Sequence, residues 1–352
     1  MNPLEQQLTY PFGDTLPGRA HRQEVAPGVF WIRMPLPFAL DHINLWLVRD
    51  EFRGRRGWTL IDCGIASDET RGLWDQVIAN ELDGEPIVRV LCTHTHPDHV
   101  GLAGMLTERF DAPLWMTLGE YAMGRLLSAV MPGVDGESAH RHFRRHGVPE
   151  GDELESIRRR NSRYFASLVP SMPLRFRRIT DGETVRIGSR DWRVIVGTGH
   201  SPEHAALYSA QDGLLVSGDM VLPRISTNVS VFDLEPESDP VTWYLASLQR
   251  FDACRADTLV LPSHGRPFRH LHIRMQQLRD HHAERLDAVE AACRERPMTA
   301  YEIVPVMFHR QFDTHQLTFA LGESLAHLHA LWHRDRLARV QDGNGVVRFS
   351  AV

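Results

Sequence analysis

The chain is 352 residues long, with 42% hydrophobic residues, 24% charged residues and a formal net charge of −6. This is an ordinary globular balance with room for one large domain and a small one, and it excludes a basic nucleic-acid footprint over the chain as a whole. All 39 residues of the Lys and Arg class are Arg, a compositional bias, whereas 20 His are many for this length and need a chemical reason.

Residues 1–24 are polar and contain Pro11, Gly13, Pro17 and Gly18, so they read as an arm laid on the surface. Three strands are predicted next, over 28–34, 43–48 and 58–61, with the turn-rich Arg53-Gly54-Arg55-Arg56-Gly57 joining the last two. The third ends in Asp62-Cys63-Gly64, where the Asp either starts a turn or supports a site from behind. Leu73, Trp74, Val77, Ile78 and Leu82 have the spacing of a helix over 67–82. The apolar, β-branched run over 88–93 then reads as a buried strand.

That strand runs directly into His94-Thr95-His96-Pro97-Asp98-His99. Three imidazoles and a carboxylate within six positions are costly to gather unless something divalent holds them. Imidazole nitrogen and carboxylate oxygen are ligands that zinc, iron and manganese accept. Pro97 favours a bend over a continuing helix. In a turn after a strand, His94 and His96 point one way and Asp98 and His99 the other, which serves two adjacent ions better than one.

A helix over 99–110 and a short strand over 113–116 complete an alternation that indicates a layered α/β sandwich. From 118 to about 172 the chain becomes helical, with helices predicted over 121–131, 139–146 and 154–168 and breaks at Pro132-Gly133 and Pro149-Glu150-Gly151. This reads as an insertion and a candidate lid beside the site. Its run Arg141-His142-Phe143-Arg144-Arg145-His146 is either an anion-binding segment or a solvated helix face. Strands resume over 175–179, 184–187 and 192–196, the last leading into Gly197-Thr198-Gly199-His200-Ser201-Pro202-Glu203-His204. A strand over 214–216 leads to Ser217-Gly218-Asp219, and one over 258–261 leads to Pro262-Ser263-His264-Gly265. Four strands thus end by delivering a His or Asp, with Gly beside it for close backbone approach. Ligands presented from rigid strand ends make a preorganised metal site.

A long helix over 270–296 follows, with His281-His282 expected on its exposed side. Helices over 300–309 and 314–333 and a hairpin around Asp342-Gly343-Asn344-Gly345 close the chain, the order of a winged-helix module. The expected units are an arm over 1–24, a catalytic domain over 25–284 and a winged-helix-like domain over 285–352. Cys63, Cys92, Cys254 and Cys293 are far apart in the chain, which argues against a disulfide framework and for a reducing compartment. The first 16 residues lack the pattern of a signal peptide, and no apolar run approaches the ~18 residues of a spanning helix. A soluble cytoplasmic protein with no membrane partner is expected.

Taken together, His94-x-His96-x-Asp98-His99, His200, Asp219 and His264 resemble the ligand set of the metallo-β-lactamase superfamily, over about residues 25–280. The resemblance implies an αββα four-layer sandwich with a paired-metal site. It puts His94, His96 and His200 on a first ion, Asp98, His99 and His264 on a second, and Asp219 between them. It also makes Asp62 the strand-end Asp that supports the histidine loop. The lactamases themselves lack the bridging Asp and many use a Cys ligand, so antibiotic hydrolysis is not expected. The flavodiiron branch has Glu at the place of His96, which disfavours oxygen reduction. The stretch Leu321-Gly322-Glu323-Ser324-Leu325-Ala326-His327-Leu328 is similar to the second tail helix of a subgroup that includes a mitochondrial endoribonuclease.

Two divalent ions roughly 3.5–4 Å apart lower the pKa of a shared water and polarise the bond it attacks, so hydroxide is the implied nucleophile. Cys63 and Cys92 are then bystanders. Asp98 is expected as a ligand that also takes a proton. His204 is either a catalytic contact or a buried support, and Arg224 either meets a substrate anion or forms a plain salt bridge. The expectation is a dinuclear hydrolase, zinc-dependent with iron or manganese as alternatives, acting on a small-molecule anionic ester, thioester or lactone. The alternatives are an endonuclease on single-stranded RNA and a metal-sensing nucleic-acid-binding regulator. From residue 285 onward eight Arg are offset by eight Asp and Glu, which leaves no basic face for phosphate neutralisation. The tail is therefore expected to be a packing element or a homodimer contact.

Overall fold

A computed structural model describes residues 2–129, 136–159, 163–310 and 312–352 of the chain. The predicted break at Pro132-Gly133, the end of the helix before it and the middle of the helix over 154–168 lie outside the described residues.

Among the described residues, strands β1 (Gln23–Ala26), β2 (Val29–Pro35), β3 (His42–Phe52), β4 (Arg55–Ile61), β5 (Ile87–Leu91), β6 (Leu114–Met116) and β7 (Phe176–Arg178) form one sheet in sequential order. Strands β8 (Thr184–Ile187), β9 (Arg190–Gly197), β10 (His204–Ser209), β11 (Leu214–Gly218) and β12 (Leu259–Pro262) form a second, in the order β12-β11-β10-β9-β8. A separate hairpin, β13 (Leu337–Gln341) and β14 (Val347–Ala351), ends the chain. Helices α1 (Asp68–Asn80), α2 (Pro97–Val100) and α3 (Ala103–Phe110) belong to the first half. The insertion supplies α4 (Leu118–Ser128), α5 (Gly136–Arg145), α6 (Asp152–Arg159) and α7 (Arg163–Leu168). The rest is α8 (Pro240–Gln249), α9 (Leu271–Glu295), α10 (Ala300–Met307) and α11 (Thr314–Trp332).

Alternation within the strands builds the layers. Trp46, Val48, Ile61 and Leu91 point from the first sheet into a core shared with Val194, Val196, Ala205, Leu207, Val216 and Leu261 of the second. Their neighbours Leu45, Leu47, Leu60 and Val90 face the other way, onto Leu73, Trp74, Val77 and Leu106 of α1 and α3. Ile195, Ala206, Leu215 and Val260 likewise leave the second sheet on its outer face and meet Tyr244, Met275, Leu278 and Leu328. Both faces of each sheet are covered, which is why the central strands are apolar almost throughout. The order is helix, sheet, sheet, helix, the expected αββα sandwich.

Two strands escaped prediction. β1 is short and half-buried, and β10 opens His-Ala-Ala with no β-branched residue, so neither has the composition that marks a strand. His282, expected at the surface, is buried, with Nδ1 3.1 Å from His327 Nε2, because α11 covers that face of α9. The expected boundary between 284 and 285 falls inside α9, one continuous helix that both units share. The insertion is also more firmly held than a hinged lid. Phe143, Leu154 and Ile157 of α5 and α6 share a core with Val304, Leu317 and Leu321 of α10 and α11. Among the described residues no helix is long and apolar enough to cross a membrane.

Candidate metal centre

The strand tips meet at one end of the sandwich. The backbone N–H of Asp62 donates to Leu91 O (2.9 Å), that of Cys63 to His99 O (2.7 Å) and that of Ala205 to Thr93 O (2.8 Å). These bonds fasten the histidine turn to β4 on one side and to the second sheet on the other. Pro97 opens α2, and His96 occupies its N-cap position, so the chain turns as the Pro predicts.

The seven expected residues converge in two groups. His94, His96, His200 and Asp219 form one and Asp98, His99 and His264 the other, each with its nitrogen and oxygen atoms within 4.8 Å of one another. His94 Nε2 lies 2.9 Å from His96 Nδ1 and 3.2 Å from His200 Nε2. Asp219 faces both groups. Its Oδ2 is 3.4 Å from His200 Nε2, while its Oδ1 is 3.6 Å from His99 Nε2 and 3.5 Å from His264 Nε2. Asp98 Oδ2 is 3.4 Å from His264 Nε2.

These separations fit a cation. Two atoms each about 2.0–2.1 Å from one ion at a tetrahedral angle lie roughly 3.3–3.4 Å apart, close to the spacings observed. Tautomers point the same way. His200 Nδ1 is 2.8 Å from Asn228 O and His264 Nδ1 is 2.8 Å from His42 O. A carbonyl accepts only from N–H, so each Nδ1 carries a proton and Nε2 is the nitrogen turned to the centre, a lone pair whenever the ring is neutral. His99 Nδ1 is 2.8 Å from Asp62 Oδ2, and among the described residues its buried Nε2 has no hydrogen-bond partner; nor does Asp219 Oδ1. Buried polar atoms left in this state ask for an explanation, and a divalent ion supplies one.

Burial, and then the imidazoles around it, push His94 well below the usual range. Burial, with His200 next to it, lowers His96 to about 3. Burial also opposes the charging of His264, but the Asp219 and Asp98 carboxylates outweigh it and raise the ring to about 10. Asp98 is the converse: burial raises it, and His99 and His264 more than reverse this, to about 2. A divalent ion competes with protons for these lone pairs, so loading weakens in acid.

Asp62 stands behind the histidine turn. Its Oδ1 accepts from the Thr93 backbone N–H (2.8 Å) and its Oδ2 from His99. His204 and Arg224 each find a partner within the fold. His204 is fully buried, and its Nε2 accepts the backbone N–H of Asp219 (3.0 Å), so it positions the loop that carries Asp219. β10 begins at this residue, and its side chain is directed inward by the strand. Arg224 turns to Glu5 of the N-terminal arm, Nε to Oε2 at 3.1 Å, the plain salt bridge of the two readings.

Several supporting groups left no trace in the sequence. The buried Glu120 carboxylate, in the first turn of α4, accepts from Thr95 N (2.9 Å), Ser201 Oγ (2.6 Å) and Glu203 N (2.8 Å), which clamps the two histidine loops together. Burial raises its pKa against those bonds. Asn44 donates to Pro262 O (2.8 Å) and Gly265 O (2.9 Å), holding the loop that carries His264. Each partner is distant in the chain, so no local spacing could reveal the pairing.

The family model described as Metallo-beta-lactamase superfamily matches residues 39–264. The one described as Metallo-beta-lactamase-like, C-terminal domain, matches 286–352. The chain is 26% identical over 328 residues to the "Probable metallo-hydrolase YqjP" of Bacillus subtilis (strain 168), covering 90% of this chain and 96% of that one. It is similar to the crystal structure of a beta-lactamase domain protein from Burkholderia ambifaria at 55% identity and a TM-score of 0.94, with 100% of both chains covered. A metallo-beta-lactamase family protein from Thermus thermophilus is similar at 28% identity and a TM-score of 0.77, over 94% of this chain and 100% of that one. Sandwich, strand-tip cluster and a family match over more than half the chain agree: this protein belongs to the metallo-beta-lactamase superfamily and is one of its metallo-hydrolases.

Proposed function

We propose that the protein is a dinuclear hydrolase of a small anionic ester, thioester or lactone, using zinc, with iron or manganese as alternatives. The observation that carries this reading is Asp219, whose two oxygens face the two separate groups. His94, His96 and His200 would hold one ion, Asp98, His99 and His264 the other, and Asp219 both. Divalent ions held there supply Lewis acidity and make water a nucleophile near neutral pH.

The chain's own part is to aim and to accept protons. Asn228 O and His42 O fix the rings of His200 and His264 through their N–H groups, so each Nε2 is aimed before any ion arrives. Asp98 keeps 18% of its side chain exposed while His264 is at 3%. Its carboxylate is ionised at neutral pH and suits a ligand first and a proton acceptor second. No Ser or Cys nucleophile is required.

The tail gives nucleic acid little to hold. Arg294, Arg296, Arg336, Arg339 and Arg348 pair with Glu290, Glu302, Glu290, Glu237 and Glu302 respectively. That supports the small-molecule reading over the endonuclease and regulator readings. The test is a panel of chromogenic esters, thioesters, lactones and phosphodiesters with metal-loaded protein, alongside single-stranded RNA. Turnover of a small ester-type substrate that EDTA abolishes and zinc restores is expected. Cleavage of RNA without turnover of the panel would sink the proposal.

A further inference from the structure

The loop that carries His264 leaves β12, the terminal strand of the second sheet, and is held from the other sheet by the start of β3. Trp46 and Val48 lie in the core between the sheets, while Ile43, Leu45 and Leu47 face α1 and α3. His42 and Asn44 continue the first series, so both side chains face the second sheet. Asn44 takes the carbonyls of the loop. Its backbone N–H donates to Ser263 O (2.7 Å), and its amide donates to Pro262 O and Gly265 O. Trp31 Nε1 donates to Asn44 Oδ1 (2.8 Å), which fixes the end of that amide that does the donating.

His42 takes N–H groups of the same loop. Its carbonyl accepts from His264 Nδ1, and its ring Nε2 accepts the backbone N–H of Gly265, each at 2.8 Å. A backbone N–H can only donate, so Nε2 carries a lone pair and the ring proton sits on Nδ1. That N–H points at Asp41 Oδ1, 2.5 Å away. The His42 side chain is 12% exposed and that of Asp41 78%. An exposed carboxylate thus sets the tautomer of a largely buried ring, and the ring holds the backbone beside a residue of the metal centre. Neither Asp41 nor His42 belongs to the seven residues that converge there.

The ring does what the carbonyl alone cannot. One bond to Nδ1 leaves the imidazole and its loop free to swing about that contact. A second anchor one residue further along removes the swing. Gly265 needs it most, because its φ of +87° lies in a region where glycine has many neighbouring conformations open to it. Among the described residues, no hydrogen bond joins the side chains of His42 or Asp41 to His94, His96 or His200, so the anchor serves one of the two groups.

We propose that His42 is a positioning residue for the second ion: its ring, oriented by Asp41, anchors Gly265 and so keeps His264 Nε2 aimed at the Asp98 and His99 group. The inference rests on the two-ion reading given above.

Competition of the metal-free, full-length protein against a chromophoric chelator, with zinc as the probe, counts the ions bound and gives the affinity of each. The parent protein is expected to bind two. His42→Leu keeps the bulk and the carbonyl but has no acceptor. It is expected to weaken one ion roughly tenfold or more and to leave the other at the affinity found in His264→Ala. His42→Gln, whose Oε1 accepts in place of Nε2, is expected to restore the lost affinity. Asp41→Ala alters an exposed side chain that the fold does not need, and is expected to weaken the same ion. Two ions held as tightly in His42→Leu as in the parent would overturn the inference. So would equal weakening of both ions, a Gln variant no better than the Leu variant, or Asp41→Ala without effect. A parent protein that binds fewer than two ions would overturn the two-ion reading itself, and this inference with it.

Discussion

Asp62 has a φ of +61° and uses both carboxylate oxygens inside the fold, on Thr93 and on His99 Nδ1. In the sequence it was open to two readings, a turn or a support, because only its strand-end position is local information. Its partners decide between them. Asn tolerates the same left-handed backbone but offers His99 a weaker, neutral acceptor, so Asp62→Asn is expected to weaken metal binding by roughly 10- to 100-fold. Competition against a chromophoric chelator measures this, and unchanged affinity would remove Asp62 from the site's support. Cys63 and Cys92 illustrate the reverse case. Far apart in the chain, they lie with sulfurs 3.7 Å apart. The Cys63 contact and burial raise the Cys92 thiol well above its usual range, which keeps it protonated and unreactive.

At the level of elements, what positions His200 is the close approach of α8 to the loop after β9. Gly199 has φ +95°, and a Cβ there would stand 2.3 Å from Pro240 O and 2.6 Å from Tyr244 N. Both are backbone atoms that cannot rotate away. Gly199→Ala is therefore expected to cost about 1–3 kcal/mol in backbone strain alone and to displace His200. Urea unfolding together with metal content of the purified variant checks both halves. Full stability with a normal metal load would show that the loop relaxes freely. Glycine beside each strand-end ligand was legible as a pattern. Which helix pressed against it was not, since α8 begins some 40 positions further along.

Across the whole molecule, the insertion and tail are one packed body. Leu321 of α11 lies fully buried in the core that includes Phe143 and Ile157. Leu321→Ala is expected to cost about 2–5 kcal/mol, with hydrogen exchange rising in α5 and α6 as well as in α11. Exchange confined to α11 would mean the insertion stands independently. Acid should act on the same body. Burial lowers His142, His327 and His329 from 6.5 to about 4, and His146 to about 2. The unfolded chain binds these protons first, so the stability they contribute is complete above 6.5 and is lost as pH falls toward 4. Burial raises Glu323 to about 7. That group has the opposite sign, favouring the fold below 4.5 and losing its contribution by pH 7, but it is one against four. Denaturant midpoints at about pH 7 and about pH 5 should therefore show a net fall on acidification, and a flat profile would contradict it.

The sequence by itself determined the strand-end ligands, the layered alternation and the helical insertion, because each is a property of contiguous residues and their period. It could not determine that His204 turns inward, that Arg224 reaches Glu5, that His282 is covered or that the insertion is bolted to the tail. Those outcomes depend on which face a distant element buries, and burial between distant elements exists only once the chain has folded.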